Sequence, residues 1–245
     1  MFRKTTVALA LAASFATSVH AETYYYVDWQ SWNPGAGFAS GVITPSSGPA
    51  VGVTFQAIKS DGSAGSFLGV TGPSLWGGPA VAAHTYTSTE VENASTFEGL
   101  QLVGTQNMTY KVTLSEAIKD PIMAIASLGS GGDRAIYDFD SPFTILSQGV
   151  TCCWGGGSDR LSILPGDVLQ GYEGAGTIRF NGTYSTFSWT VPDPENWHGF
   201  TFGIRTTERL EPTPAVPEPE IYAMMLAGLG MLGFFARRRK LKAIA

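Results

Sequence analysis

Apolar and polar residues alternate with period two along several stretches of the chain. Val51, Val53, Phe55 and Ala57 interleave with Gly52, Thr54 and Gln56, and Met108, Tyr110, Val112 and Leu114 with Thr109, Lys111 and Thr113. Phe200, Phe202 and Ile204 alternate in the same way with Thr201, Gly203 and Arg205. Successive side chains of an extended strand point to opposite faces, so each stretch predicts a strand with one buried and one wet face. Ile122 to Ala126 is apolar throughout, which predicts a central strand covered on both sides.

Turn residues separate these runs: Ser60-Asp61-Gly62, Gly129 to Asp133, Pro165-Gly166-Asp167 and Asn181-Gly182. The last lies between Thr177–Phe180 and Thr183–Val191 and is the strongest hairpin pattern in the chain, because Asn-Gly accepts the positive φ angles of a tight two-residue turn. Ser115 to Lys119 alone reads as a short helical turn. Many short strands with punctuating turns predict an all-β fold, an antiparallel, jelly-roll-like β-sandwich over residues 22–205.

The two ends have another character. Arg3 and Lys4 precede an apolar run from Val7 to Val19, and Val19-His20-Ala21 places modest or small side chains at positions −3 and −1 of a cut after Ala21, the order of a secretory signal peptide over residues 1–21. Residues 206–220 are polar and proline-rich and read as an extended stalk. Ile221 to Ala236 then carries no charge, and Arg237, Arg238, Arg239 and Lys240 follow. Sixteen helical residues rise about 24 Å, enough for a single transmembrane helix in a thinned bilayer, with the basic stop over 237–242 held on the cytoplasmic side.

Charge follows the same division. Seven of the 15 Lys and Arg lie in the two tails, whereas all 20 Asp and Glu lie between Glu22 and Glu220, which leaves that segment eight basic residues and a net charge of −12. Such a surface repels phosphate backbones and excludes nucleic acid as a partner.

Pro217-Glu218-Pro219, then an apolar helix and an arginine cluster, together occupy residues 217–242. In that order, with a signal peptide at the other end, they resemble the PEP-CTERM sorting signal of Gram-negative bacteria. The resemblance implies that secretion machinery and then an exosortase handle the chain, first as an inner-membrane precursor and afterwards at the cell surface or outside the cell. The protein would be the substrate of that chemistry. Phe139 to Leu146, Trp154 to Gly157 and Asn196 to Ile204 are also similar to ectodomains attached to such signals, a likeness that implies fold and location and no reaction.

Catalytic motifs are sparse. His84 and His198 stand alone, outside metal-binding spacing, and no nucleophile elbow or phosphate loop occurs. No catalytic residue is assigned and no cofactor is expected, with one weak exception. Asp133, Asp138 and Asp140 follow a glycine turn and supply the hard oxygen ligands of a calcium site, although not at EF-hand spacing. Cys152 and Cys153 are candidates for a vicinal disulfide, against the alternatives of reduced core thiols or a bridge to a second molecule. Trp32, Trp76 and Trp154 sit among Gly and Pro, where an aromatic is hard to bury, and form a candidate ligand platform.

The expectation is a non-enzymatic surface or matrix protein associated with extracellular polysaccharide and biofilm. The alternative is a secreted carbohydrate-active enzyme on a jelly-roll scaffold, in which Glu98 and Glu173 would be the paired carboxylates.

Overall fold

The computed structural model describes residues 21–205 except 78–81, 83, 131 and 150–159, without the side chains of 105–107, 160 and 194. The chain divides between Thr207 and Glu208, and every described residue precedes that division. The signal peptide through residue 20, the stalk, the sorting tail, Cys152, Cys153 and Trp154 lie outside the described residues.

The strands in chain order are β1 (Tyr25–Tyr26), β2 (Asp28–Asn33), β3 (Phe38–Ile43), β4 (Val51–Lys59), β5 (Gly69–Thr71), β6 (Gly99–Lys119), β7 (Ile122–Leu128), β8 (Ala135–Phe139), β9 (Phe143–Gly149), β10 (Arg160–Leu164), β11 (Val168–Tyr172), β12 (Gly174–Phe180) and β13 (Thr183–Ile204). One short helix, α1 (Ser74–Gly77), lies between β5 and β6. Each alternating run of the sequence is a strand, and the pairings between these strands are antiparallel. Ser115 to Lys119 is a correction: it is the end of β6, with Lys119 opposite Thr183 and Ile118 opposite Tyr184, so cross-strand pairing overrides its local helical preference.

Two sheets pack face to face. The first runs β10-β11-β8-β13-β6-β4-β3-β2. The second runs β5-β6-β13-β7-β12-β9, with β1 beside the end of β13. β6 and β13 belong to both. Their register slips repeatedly between Thr190 and His198, and these bulges bend the ribbon from one sheet into the other. Regularly short strands were expected. Instead β13 passes through Pro192 and Pro194, because a bulge leaves residues out of the ladder where a missing N–H does no harm.

Asn181-Gly182 also departs from expectation. β12 pairs with β7 and β9 of the second sheet, whereas the start of β13 pairs with β6 and β8 of the first, so the turn is an arch between sheets and not a hairpin. It is braced by the neighbouring turn, where Asp120 N donates to Gly182 O at 2.7 Å and Gly182 N donates to Asp120 Oδ1 at 2.9 Å. The arch lets Phe180, Phe187 and Phe202 stack across the sandwich, with centroids 4.8 Å apart for the first pair and 4.3 Å for the second. Burying such rings gains about 1.5–3 kcal/mol each, more than a local turn preference supplies.

The main core lies between the sheets and contains Phe55, Tyr110, Val112, Phe187 and Trp189 from the first, facing Met123, Ile125, Ile178, Phe200 and Phe202 from the second. A second core covers the outer face of the second sheet, where Tyr24, Tyr26, Trp76, Tyr86 and Val91 pack on Ile122, Ala124, Ala126 and Ala175. All seven residues of β7 are therefore buried, as its unbroken apolar run predicts. Trp76 needs the space left by Gly99, where a Cβ would stand 2.4 Å from the indole ring.

Candidate functional site

The described surface carries a groove of about 230 Å³ beside the start of the domain. Its walls come from Thr23 to Tyr26 and Asp28, from Val42 and Thr44 at the end of β3, and from Asn93 to Ala94 with Thr96 and Phe97. Asn93 builds it. Its Oδ1 accepts from Tyr24 N and its Nδ2 donates to Tyr24 O, both at 2.8 Å, so one amide side chain stands in for a neighbouring strand. Tyr26 Oη donates to Asn93 O at 2.9 Å and fastens the same loop from below. Burial raises the Tyr26 phenol pKa above its ordinary value, and burial likewise raises that of Tyr24, partly offset by the Arg205 guanidinium, so both stay neutral.

With Tyr24 and Tyr26 buried, the groove presents the half-buried Tyr25, the Asp28 carboxylate, the hydroxyls of Thr23, Thr44 and Thr96, and the Phe97 ring, which is 39% exposed. An aromatic face beside several hydroxyls and a carboxylate can stack on a sugar ring and bond its hydroxyl groups. Outside the groove's lining, Glu22 pairs with Arg205 at 2.6 Å, and Arg205 also reaches Asp120 at 3.3 Å.

A second polar cluster lies inside the main core. His198 Nδ1 is 2.8 Å from Glu195 Oε2, with the side chains 0% and 6% exposed. The Tyr137 ring meets the His198 imidazole edge to face at 5.2 Å. Burial raises the Tyr137 phenol well above its ordinary pKa, and the Glu195 charge adds to the effect. His198, read from sequence as a lone structural histidine, thus has a partner. In extended backbone residues three apart face opposite ways, and only the bulge between Glu195 and His198 brings them together.

The sequence-derived site residues fare unevenly. Trp32 is 44% exposed at the far end of β2, four residues from Asp28 and so about 13 Å along the strand from the groove. Trp76 corrects the platform reading, because it is 1% exposed and stacked edge-on against Tyr86 in the outer core. Asp133 sits in the turn before β8, with its N–H donating to Ser130 Oγ. Asp138 points outward from β8, and Asp140 accepts from Ser141 Oγ and from Ser188 N and Oγ. Among the described residues no group of three or more His, Cys, Asp or Glu side chains is placed to hold a metal.

Glu98 and Glu173 are also far apart. Glu98 precedes β6 and Glu173 precedes β12, with β13 and β7 between, a separation of about 14 Å across the sheet and well beyond a glycosidase pair. Glu173 is buried and accepts from Ser127 Oγ.

Phe97 and Asp28, the groove's exposed ring and acid, were not singled out by sequence. The only available signal was one aromatic within the polar run Ser95-Thr96-Phe97-Glu98.

Among the described residues no helix is long and apolar enough to cross a membrane. Comparison with curated proteins and with solved structures finds no match. Residues 215–240 do match a family description, the PEP-CTERM protein-sorting motif. That motif is the recognition signal for exosortase processing, and it implies a terminal anchor in a precursor that is afterwards cleaved. By this tail, joined to an all-β ectodomain, the chain is an exported, sorted surface protein carrying a PEP-CTERM motif.

Proposed function

We propose that the ectodomain is a non-catalytic binding module that holds the processed protein in contact with extracellular polysaccharide, at the cell surface or in the surrounding matrix. The observation that carries this reading is the groove beside the amino-terminal strand. It sets the exposed Phe97 ring and Tyr25 among three threonine hydroxyls and Asp28, the mixture of apolar face and hydrogen-bonding groups that suits a pyranose. The sorting tail supports it, because it directs the protein out of the cell, where extracellular polymer is found. The net charge of −12 on the segment between the tails keeps such a module soluble and away from nucleic acid.

The test is retention of the processed protein in affinity gels cast with the host's extracellular polysaccharide. Wild type should be retarded, and Phe97→Ala should lose most of that retardation while its thermal unfolding is little changed, since the ring is exposed. Equal mobility of the wild type with and without polymer rejects the binding reading.

A further inference from the structure

The groove has a charge character as well as a shape. Asp28 is half-buried in its wall, and its carboxylate makes no hydrogen bond or ion pair among the described residues. Among the described residues no Lys, Arg or His lines the groove. Arg205, whose guanidinium acts on Tyr24, is committed to Glu22 and Asp120. Beyond Thr23 a further carboxylate, Glu92, accepts from Thr23 Oγ1 at 2.5 Å. A carboxylate without a cationic partner offers an incoming ammonium group a charge-assisted hydrogen bond. A uronate, sulfate or phosphate on the ligand meets the opposite sign and is repelled.

The volume adds a second constraint. About 230 Å³ is smaller than the roughly 300–1,000 Å³ that encloses a drug-sized ligand, so the groove engages one residue of a longer chain. The Phe97 and Tyr25 rings would take the C–H face of that residue and the threonines its remaining hydroxyls.

Resting on the polysaccharide reading above, we infer that the groove selects amine-bearing sugars: it takes a hexosamine unit whose free ammonium pairs with Asp28 while its ring stacks on Phe97. N-acetylation would remove the charge and add bulk at the point of contact. Acidic polysaccharides would be excluded by sign.

The experiment is calorimetric titration of the processed protein with three probes, a glucosamine hexamer, an N-acetylglucosamine hexamer and a hexauronate. The glucosamine hexamer should bind at least tenfold more tightly than its acetylated counterpart, and the hexauronate should not bind. Asp28→Asn should abolish the tenfold preference. Asp61→Asn, which removes the same charge from the exposed turn at residues 60–62, should preserve it and so separates a local contact from attraction to the acidic surface at large. Circular dichroism of both variants should match wild type. Equal affinity for the amine and the acetylated hexamer, with Phe97→Ala weakening both, overturns the amine selectivity and leaves polysaccharide binding standing. Loss of the preference in Asp61→Asn, or its survival in Asp28→Asn, also overturns it. Failure of every saccharide, the extracellular polymer included, removes both the inference and the reading beneath it.

Discussion

Replacing His198 by Leu should destabilise the ectodomain far more than a usual core substitution, and replacing Glu195 by Met in the same chain should reverse most of the loss. His198 and Glu195 are 2.8 Å apart and nearly sealed from solvent. Removing one member of such a pair leaves the other without compensation and costs about 3–5 kcal/mol, whereas exchanging both for apolar residues of similar volume is neutral or stabilising by about 1–4 kcal/mol. Glu195→Met alone leaves the imidazole with two buried nitrogens and should also be costly. The Trp189 indole, inside the same core, provides a fluorescence signal for urea unfolding. With an m-value of about 2 kcal/mol/M, each single variant should lower the midpoint by roughly 1.5–2.5 M, and the double variant should return to within about 1 M of wild type. A His198→Leu midpoint within about 0.3 M of wild type would show that removing the imidazole leaves no uncompensated buried group. A double variant no better than the worse single would show that packing, and not the charge, sets the cost.

Alkaline titration followed at 295 nm should find Tyr26, Tyr86, Tyr110 and Tyr137 silent near pH 10, because burial raises all four. Their contribution to stability is full below the unfolded tyrosine value of about 10 and is lost as pH rises through the raised folded values, so they should ionise together with unfolding; smooth ionisation of every phenol near pH 10 in the folded protein contradicts this. Exchanging Pro217, Glu218 and Pro219 for Ala should leave membrane insertion intact, since the apolar run 221–236 is untouched, and should block removal of the tail. Carboxy-terminal mass analysis in a host with and without exosortase reads this directly, and an uncleaved wild type in the competent host would contradict it.

Strand positions were legible because burial on one face leaves a period-two record in the chain, as along Val51 to Ala57 and Met108 to Leu114. β7 was legible for the complementary reason, burial on both faces. The path between sheets was not, since Asn181-Gly182 has the local chemistry of a hairpin and only contacts of Phe180 with Phe187, and of Phe187 with Phe202, convert it into an arch. The run read as Thr183–Val191 likewise goes further, because bulges carry β13 through Pro192 and Pro194 to Ile204. Trp76 lies in a Gly- and Pro-rich neighbourhood that suggested exposure, and the space it occupies is made by Gly99, distant in sequence. The groove was invisible for a similar reason. Its residues come from three separated segments, and what unites them is Asn93 acting as a strand that is not there. The sorting tail depends on none of this, because a linear signal is read by order and composition alone.

The Glu22–Arg205 ion pair has a further consequence. Residues near the two ends of the described segment stand side by side, joined also by the ladder of Tyr25 and Tyr26 with Gly203 and Ile204. Such a body can be spliced into a loop of an unrelated scaffold as a cassette, entering and leaving through one doorway without prising the sandwich apart. It could equally be reopened at the Ser60-Asp61-Gly62 turn, with a short linker across the old ends, and give a permuted chain of unchanged architecture.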